Sequence, residues 1–560
     1  MIQLKDGEEV LKVPTEFVER WAKQNPTGIF LRAPRGDEWV EFSFEKSWGQ
    51  IVRVAQFLKG FDLQPGARVG ILGKNSPEWI LADLAIWLAG FVSVPVYPNQ
   101  SAENMKKILS HAEVEVLFVG KLDKADTILS KLDNQISQIV WSDSSARFSE
   151  SQRKFFWSDV VLASPPLANI VHPKSHDLAT IIYTSGTTGD PKGVMHSFRS
   201  FAWPAQAIIK DLNFTAEDRF FSYLPLAHVA ERLIVETLAI YSGATISFAE
   251  SLDTFAKNLQ SSSPTIFMAV PRIWAKFQEK VLQQIPQKKL DFLLAVPGLG
   301  YFVRKKIKKA LGLSNIRIGV SGAAPISKDL VAWYKKLGVE ISEGYGMTEN
   351  LAYSHLNRLG KSKLGTVGTP FRGVDCKLSP EGEILVSSPA NMMGYYKNPT
   401  ATAESFEGVY LKTGDLGSID QQGYLTITGR LKDIFKTSKG KYIAPEALEL
   451  RFVANSAVEQ VCVVGSGLPQ PIAIAVLTSL AEQLSEETLK SELKEYLKTT
   501  NKNLDPHERV SHLMVTKERW TPENGLLTPT LKIKRKLIEK RYQDRFVEVS
   551  ESRESLVFIF

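Results

Sequence analysis

The stretch RVGILGKNSPEWILADLAIWLAGFVSVPVYPNQSAENMKKILSHAEVEVLFV, residues 68–119, decides the fold class. Arg68 to Leu72 reads as a short buried strand. Pro77 then introduces a helix over Glu78 to Ala89, followed by a strand over Phe91 to Val96, a helix over Asn104 to His111 and a strand over Val114 to Val119. Apolar strands alternating with helical patterns are the mark of parallel sheets covered by helices. The most apolar window, Trp79 to Pro98, contains Asp83, Gly90 and Pro95, so a core helix and a buried strand account for it better than a membrane span.

Outward from this stretch the strand series continues with Leu178 to Tyr183, Ala244 to Phe248, Thr265 to Val270 and Ile316 to Val320. Between Gly365 and Arg430 the texture changes to short strands punctuated by Gly and Pro, among them Glu383 to Ser387 and Tyr424 to Thr428, which predicts a small antiparallel subdomain. New strands over Val461 to Gly465 and Ile472 to Leu477 and a helix over Glu486 to Lys498 follow. The expected architecture is α/β: a large N-terminal domain of parallel, helix-covered sheets plus the antiparallel subdomain (1–431), and a smaller mobile α+β C-terminal domain (432–560). The last dozen residues are expected to be mobile.

A chain of 560 residues with 44% hydrophobic and 23% charged residues has ample core, and 37 Gly with 28 Pro exclude a collagenous or low-complexity polymer. The net charge of +7 suits polyanionic small molecules or an anionic membrane surface without calling for a nucleic acid. Two cysteines, Cys376 and Cys462, build neither a disulfide framework nor a four-sulfur zinc site. The acidic residues Asp6, Glu8 and Glu9 near the N-terminus are unlike an export signal, so the expected location is cytoplasmic.

The strongest chemical signal is Tyr183-Thr184-Ser185-Gly186-Thr187-Thr188-Gly189-Asp190-Pro191-Lys192-Gly193, directly after a predicted strand. Glycines let backbone N–H groups approach a polyphosphate, hydroxyls add donors or a magnesium ligand, and the lysine adds a mobile cation. The P-loop pattern G-x-x-x-x-G-K-[ST] fails, because Pro191 precedes Lys192 and Gly193 follows it. A kinase-like or motor NTPase is thereby disfavoured. In Ser342-Glu343-Gly344-Tyr345-Gly346-Met347-Thr348-Glu349, Tyr345 offers a flat face for a purine, Thr348 a donor for a phosphate and Glu349 an oxygen ligand for magnesium. Gly322-Ala323-Ala324 is small enough for a purine to lie against backbone. Asp415 can accept from both ribose hydroxyls, with Arg430 as a further donor.

Taken in order, these segments resemble the signatures of the adenylate-forming, AMP-binding superfamily. The first resembles its phosphate motif, Ser342 to Glu349 its adenine and magnesium motif, Lys412-Thr413-Gly414-Asp415-Leu416 its ribose motif, Gly429 to Lys436 its hinge, and Pro529-Thr530-Leu531-Lys532 its C-terminal lysine motif. Leu224 to Arg232 and Pro264 to Trp274 resemble long-chain fatty acyl-CoA synthetases in particular. The resemblance implies an AMP-forming ligase using ATP, Mg²⁺ and coenzyme A, which activates a fatty acid as acyl-AMP and passes it to the thiol. Lys532, His228 and Thr348 would be catalytic. Thr184 to Gly189, Lys192, Gly322 to Ala324, Glu343 to Thr348, Asp415, Arg430, Lys432, Lys436 and Lys532 would bind the nucleotide. Thr187 and Glu349 would hold the metal, Lys432 would be the pivot, and Lys439 and Gly440 would line the thiol tunnel. Leu531 stands where the family has glycine, so Lys534 is the alternative to Lys532, which the motif position favours. A fatty acyl-AMP ligase that delivers to a carrier protein is the near rival, and a catalytically silent nucleotide-binding or membrane-associated scaffold the distant one.

Gly298 to Gly312 places Leu299, Val303, Ile307, Ala310 and Leu311 at helical spacing among Arg304, Lys305, Lys306, Lys308 and Lys309, just after the apolar run Phe292 to Val296. Such a helix predicts peripheral docking on an anionic membrane, at the inner face of the cell. The alternative is a surface helix whose apolar stripe packs on its own domain.

Overall fold

The computed structural model describes residues 11–36, 38–123, 125–132, 136–141, 153–184, 191–453, 455, 457–479, 481–502, 504–522, 524–528 and 532–559. Strand Arg68–Leu72 lies inside an eight-stranded sheet among these residues, with Val92–Val96 and Leu178–Thr184 on one side and Val116–Val119, Ser137–Val140 and Lys154–Phe156 on the other, all parallel. Lys192–Ser197 and Gly394–Tyr395 extend it antiparallel. A second, nine-stranded sheet carries the parallel strands Thr245–Phe248, Arg219–Ser222, Ile266–Ala269, Ile318–Ser321 and Ile341–Tyr345. Its far edge is an N-terminal hairpin, Ile29–Arg35 and Glu38–Ser43, that joins Thr245–Phe248 across some two hundred residues of chain. The sequence pattern does not announce this hairpin, because its partner strand is remote.

Helix Pro77–Leu88 is buried on every side, as an all-apolar helix must be. The Ser76 side chain caps it by accepting from Trp79 N–H, and Pro77 costs nothing at the first helical position. Its one buried acid not at an end, Asp83, is paired with Arg232 of the π-helical turn Arg232–Thr237, and Arg232 also reaches Glu236 (3.4 Å) and Thr180 Oγ1 (2.7 Å). Two carboxylates face one guanidinium in a dry site, and burial drives both carboxyl pKa values up. Arg232→Met strands both acids, and an unfolding free energy lower by about 3–5 kcal/mol is expected in chemical denaturation. A change below about 1 kcal/mol would show that the acids are neutral without their cation.

The small antiparallel sheet pairs Glu383–Ser387 with Tyr410–Ile419, and the latter with Leu425–Arg430. The C-terminal sheet orders Val458–Val464, Ile472–Leu477, His512–Thr516 and Leu556–Ile559. The chain end is therefore not a loose tail: Leu556–Ile559 pairs in parallel with His512–Thr516, a partner forty residues upstream that local composition does not reveal. Among the described residues no helix is long and apolar enough to cross a membrane.

Candidate functional site

Thr184 ends its strand directly opposite Lys192, so both ends of the Gly-rich loop are fixed in one hairpin at the carboxyl end of the parallel strands, where ligands of such sheets bind. Ser185, Gly186, Thr187, Thr188 and Gly189 lie outside the described residues. Lys192 holds its ammonium 4.9 Å from the Tyr395 ring centroid, and the Tyr395 hydroxyl donates to Glu349 at 2.8 Å. Glu349 belongs to the 3₁₀ turn Thr348–Asn350 just beyond strand Ile341–Tyr345. Two strand ends from different sheets thus face each other. Burial raises the Glu349 carboxyl above its ordinary value, while Lys192 and Arg430 pull it back.

The turn at Gly346 admits no side chain, since a Cβ there would lie 2.5 Å from the Ala352 carbonyl carbon. The Thr348 carbonyl accepts from His196 Nε2 at 2.7 Å, and burial lowers that imidazole to about 4, so it is a neutral donor. Met347 N–H is held by Asn350 Oδ1 at 2.9 Å. Gly322 lies against Gly344, where a Cβ would come within 3.2 Å of the Gly344 oxygen, and Ala323 takes the left-handed φ of +67°. The motif of Gly322 to Ala324 and that of Gly344 to Thr348 are therefore neighbours.

Asp415 and Arg430 pair across adjacent strands, with Arg430 Nε 3.1 Å from Asp415 Oδ1 and 3.6 Å from Glu446 Oε1. Tyr345 donates its hydroxyl to the other Asp415 oxygen at 2.7 Å. Burial raises Glu446 to about 7 against the pull of Arg430.

Lys532 comes from the C-terminal domain, in a turn where Thr528 N–H donates to the Lys532 carbonyl (2.8 Å) and Lys532 N–H to Thr528 Oγ1 (3.0 Å). Burial, and then the nearby Arg430 charge, lower its ammonium to about 8, while Asp415, Glu446 and Glu349 support it. Lys534 stands instead at the boundary of helix Arg535–Glu551. His228 is in the same field: burial and the Lys532 charge push it down to about 3, so its ring is neutral. Its Nδ1 accepts from Ala230 N–H at 3.3 Å, which leaves the proton on Nε2 as a donor.

The remaining candidates lie elsewhere in this arrangement. Glu343 accepts from Ile326 N–H at 3.3 Å. Lys432, Lys436, Lys439 and Gly440 are exposed, the last three in and around the hairpin Phe435–Lys436 and Tyr442–Ile443. Sequence reasoning overlooked Tyr395 and Glu446, which carry no motif and meet the site only through folding. It also overlooked Asn75, whose side chain donates to Ser222 Oγ (2.8 Å) and Leu224 O (2.6 Å) and accepts from Leu226 N–H (3.0 Å). Asn75 thereby ties the loop presenting His228 to the end of the neighbouring sheet. Glu231 anchors the same loop through Ser222 Oγ (2.8 Å) and Tyr223 N–H (3.1 Å).

Three cations, three acids and a neutral imidazole, drawn from both sheets, the antiparallel subdomain and the C-terminal domain, suit a polyanion beside a second anionic group. Among the described residues no three His, Cys, Asp or Glu side chains gather to cage a metal. A lone buried carboxylate such as Glu349 fits a hard divalent cation that takes its other oxygens from phosphates and water.

Residues 18–396 match the model of the AMP-binding enzyme family, and residues 432–554 that of the AMP-binding enzyme C-terminal domain. Long-chain-fatty-acid–CoA ligase FadD15 of Mycobacterium bovis is 30% identical over 90% of this chain and 91% of its own. Long-chain-fatty-acid–CoA ligase 1 of Homo sapiens is 31% identical over 89% of this chain and 80% of its own. The crystal structure of an anthranilate CoA ligase in complex with anthranoyl-AMP shares the fold, with a TM-score of 0.80 at 23% identity over 96% of this chain and 98% of that one. A family match over most of the length, on a site built for a polyanion, has one reading: this chain belongs to the AMP-binding enzyme family.

Proposed function

We propose that this protein is an AMP-forming ligase that activates a long-chain fatty acid with ATP and transfers the acyl group to coenzyme A. The observation that carries this reading is the convergence of Arg430, Asp415 and Glu349 on Lys532, with Lys192 beside Glu349 and the neutral His228 within reach of the Lys532 charge. In the first step a carboxylate oxygen bonds to the α-phosphorus of ATP and pyrophosphate leaves. Lys532 offsets the repulsion between the two anions. His228 Nε2 donates to the incoming carboxylate, Asp415 accepts from the ribose hydroxyls, and Lys192 with the Gly-rich loop holds the β- and γ-phosphates. Thr187 and Glu349 would hold Mg²⁺, which when bound screens phosphate charge. In the second step the thiolate sulfur of coenzyme A attacks the acyl carbonyl and AMP leaves. For this the C-terminal domain, 432–560, turns about Lys432 and carries Lys436, Lys439 and Gly440 to the site. The names of the relatives support the fatty acid as substrate. Such acids partition into bilayers, and the protein meets them peripherally at an anionic membrane.

ATP–pyrophosphate exchange against a panel of carboxylic acids, with and without coenzyme A, tests the reading. Exchange and thioester formation with long chains are expected. Exchange without a thioester would identify an acyl-AMP ligase, and no exchange with any acid would leave a silent scaffold.

The pose that delivers Lys532 is held by a cross-domain ion pair, Arg272 with Glu459, and Glu459 also faces Arg519 at 3.4 Å. Glu459→Arg places three cations together. The adenylation half-reaction is expected to fall about tenfold, the scale of one partly buried pair, with the thioester step spared. An equal fall in both half-reactions would show that the pair serves stability and not the pose.

A further inference from the structure

Of the expected membrane stripe only Leu299 and Ala310 are exposed, and the rest is not available. Ile307 and Leu311 are 6% exposed, and Val303 packs beside them in the core around Trp274 and Trp333. Arg304 is committed to the carbonyls of Lys336 (2.8 Å) and Leu294 (3.3 Å). The stripe serves its own domain. What this packing leaves outside is a different face. Helices Gln287–Ala295 and Leu299–Ala310 form a tight hairpin, since a Cβ on Gly300 would lie 2.5 Å from the Leu294 oxygen. It is fastened by Trp333 Nε1 to Gln287 (3.1 Å) and by Lys336 to Asp291 (2.9 Å). From this rigid base Phe292, Tyr301 and Phe302 stand 69%, 62% and 67% exposed. They are three of the five strongly exposed aromatic side chains among the described residues. Tyr301 and Phe302 touch each other edge to face with ring centroids 5.6 Å apart. Around them Lys288, Lys289, Lys305, Lys306 and Lys309 are exposed, and none forms an ion pair among the described residues. The one acid on these two helices, Asp291, is neutralised by Lys336.

We propose that this hairpin is the surface by which the protein docks on an anionic lipid bilayer, its exposed aromatic rings entering the interface and its unpaired lysines meeting the headgroups. The inference rests on the membrane association proposed above and not on the ligase chemistry. Exposed aromatic rings ringed by snorkelling cations match both layers of a bilayer surface, apolar below and anionic above. An acidic protein would match the charge but gives no reason for rings standing free at the tip. Because the base is rigid, docking orders little and loses little entropy.

Flotation of the full chain with vesicles of phosphatidylcholine alone, or containing about one third phosphatidylglycerol, at low and high salt, tests this. Binding to the anionic vesicles that weakens with salt is expected. Tyr301→Ser with Phe302→Ser is expected to lower partitioning at least tenfold, and Lys305→Glu with Lys306→Glu by about fivefold per removed lysine at low salt and far less at high salt. All these residues are exposed, so the melting temperature and ATP–pyrophosphate exchange measured without vesicles should stay unchanged. Binding of the wild type with both variants unaffected would overturn the hairpin and leave membrane association elsewhere on the protein. Equal binding to neutral vesicles would overturn the electrostatic half of the proposal. No vesicle binding by the wild type would overturn the hairpin and the association together, including in favour of an acidic protein partner, while the exchange assay judges the ligase reading separately.

Discussion

Lys532→Ala is expected to slow acyl-AMP formation by about 10² or more, the scale for losing a charge aimed at a transition state, and to leave thioester formation from supplied acyl-AMP largely intact. The alanine removes the one cation that the C-terminal domain brings among Asp415, Glu446, Glu349 and His228. Lys534→Ala should change neither half-reaction, because Lys534 sits at a helix boundary. If Lys534→Ala produced the split instead, the assignment of the shifted motif would be wrong. The pH profile supplies a second readout. The ammonium of Lys532 is lowered to about 8, first by burial and then by Arg430, and the charged form is the useful one. Activity in kcat/KM for the first half-reaction, which reports the free enzyme, should therefore be present below about 8 and fall as pH rises through it. Lys532→Arg keeps its charge across this range, so the alkaline limb should vanish even if the rate is lower. A limb that persists in the arginine variant would belong to another group.

Glu349→Gln is the second large effect. Glutamine keeps the shape and can still accept the Tyr395 hydroxyl, which Glu349 holds at 2.8 Å, but it brings no charge to a cation. The concentration of Mg²⁺ giving half-maximal adenylation is expected to rise at least tenfold, and the rate at low Mg²⁺ to fall about 10². Tyr395→Phe should reproduce a smaller part of the shift, since it only frees the carboxylate from its orienting donor. A lower rate for Glu349→Gln with an unchanged Mg²⁺ dependence would make Glu349 a structural anchor of the Thr348–Asn350 turn.

The α/β class, many of the strands and the kinds of chemistry present are legible in the amino-acid order alone. Buried strands and amphipathic or all-apolar helices write their periodicity locally, and Arg68–Leu72, Glu383–Ser387 and Ile472–Leu477 begin and end where the pattern places them. Glycines, hydroxyls and charges that must lie within one loop also stay adjacent in the chain, so the phosphate, adenine and ribose signatures are legible as text. Which side chains meet is set by the packing of distant segments. Tyr395 reaches Glu349, Glu446 reaches Arg430 and Asn75 reaches the His228 loop through sheet and domain packing, and hydrogen bonds between residues far apart leave no period to read. The same holds for strand partners, which is why the N-terminal hairpin and the terminal strand Leu556–Ile559 went unannounced. The basic helix shows the limit most clearly. Helical spacing revealed a cationic, amphipathic segment, but which of its faces is buried depends on the neighbours it packs against. Trp274 and Trp333 claimed the apolar stripe, and the exposed rings of Phe292, Tyr301 and Phe302 were left to the solvent.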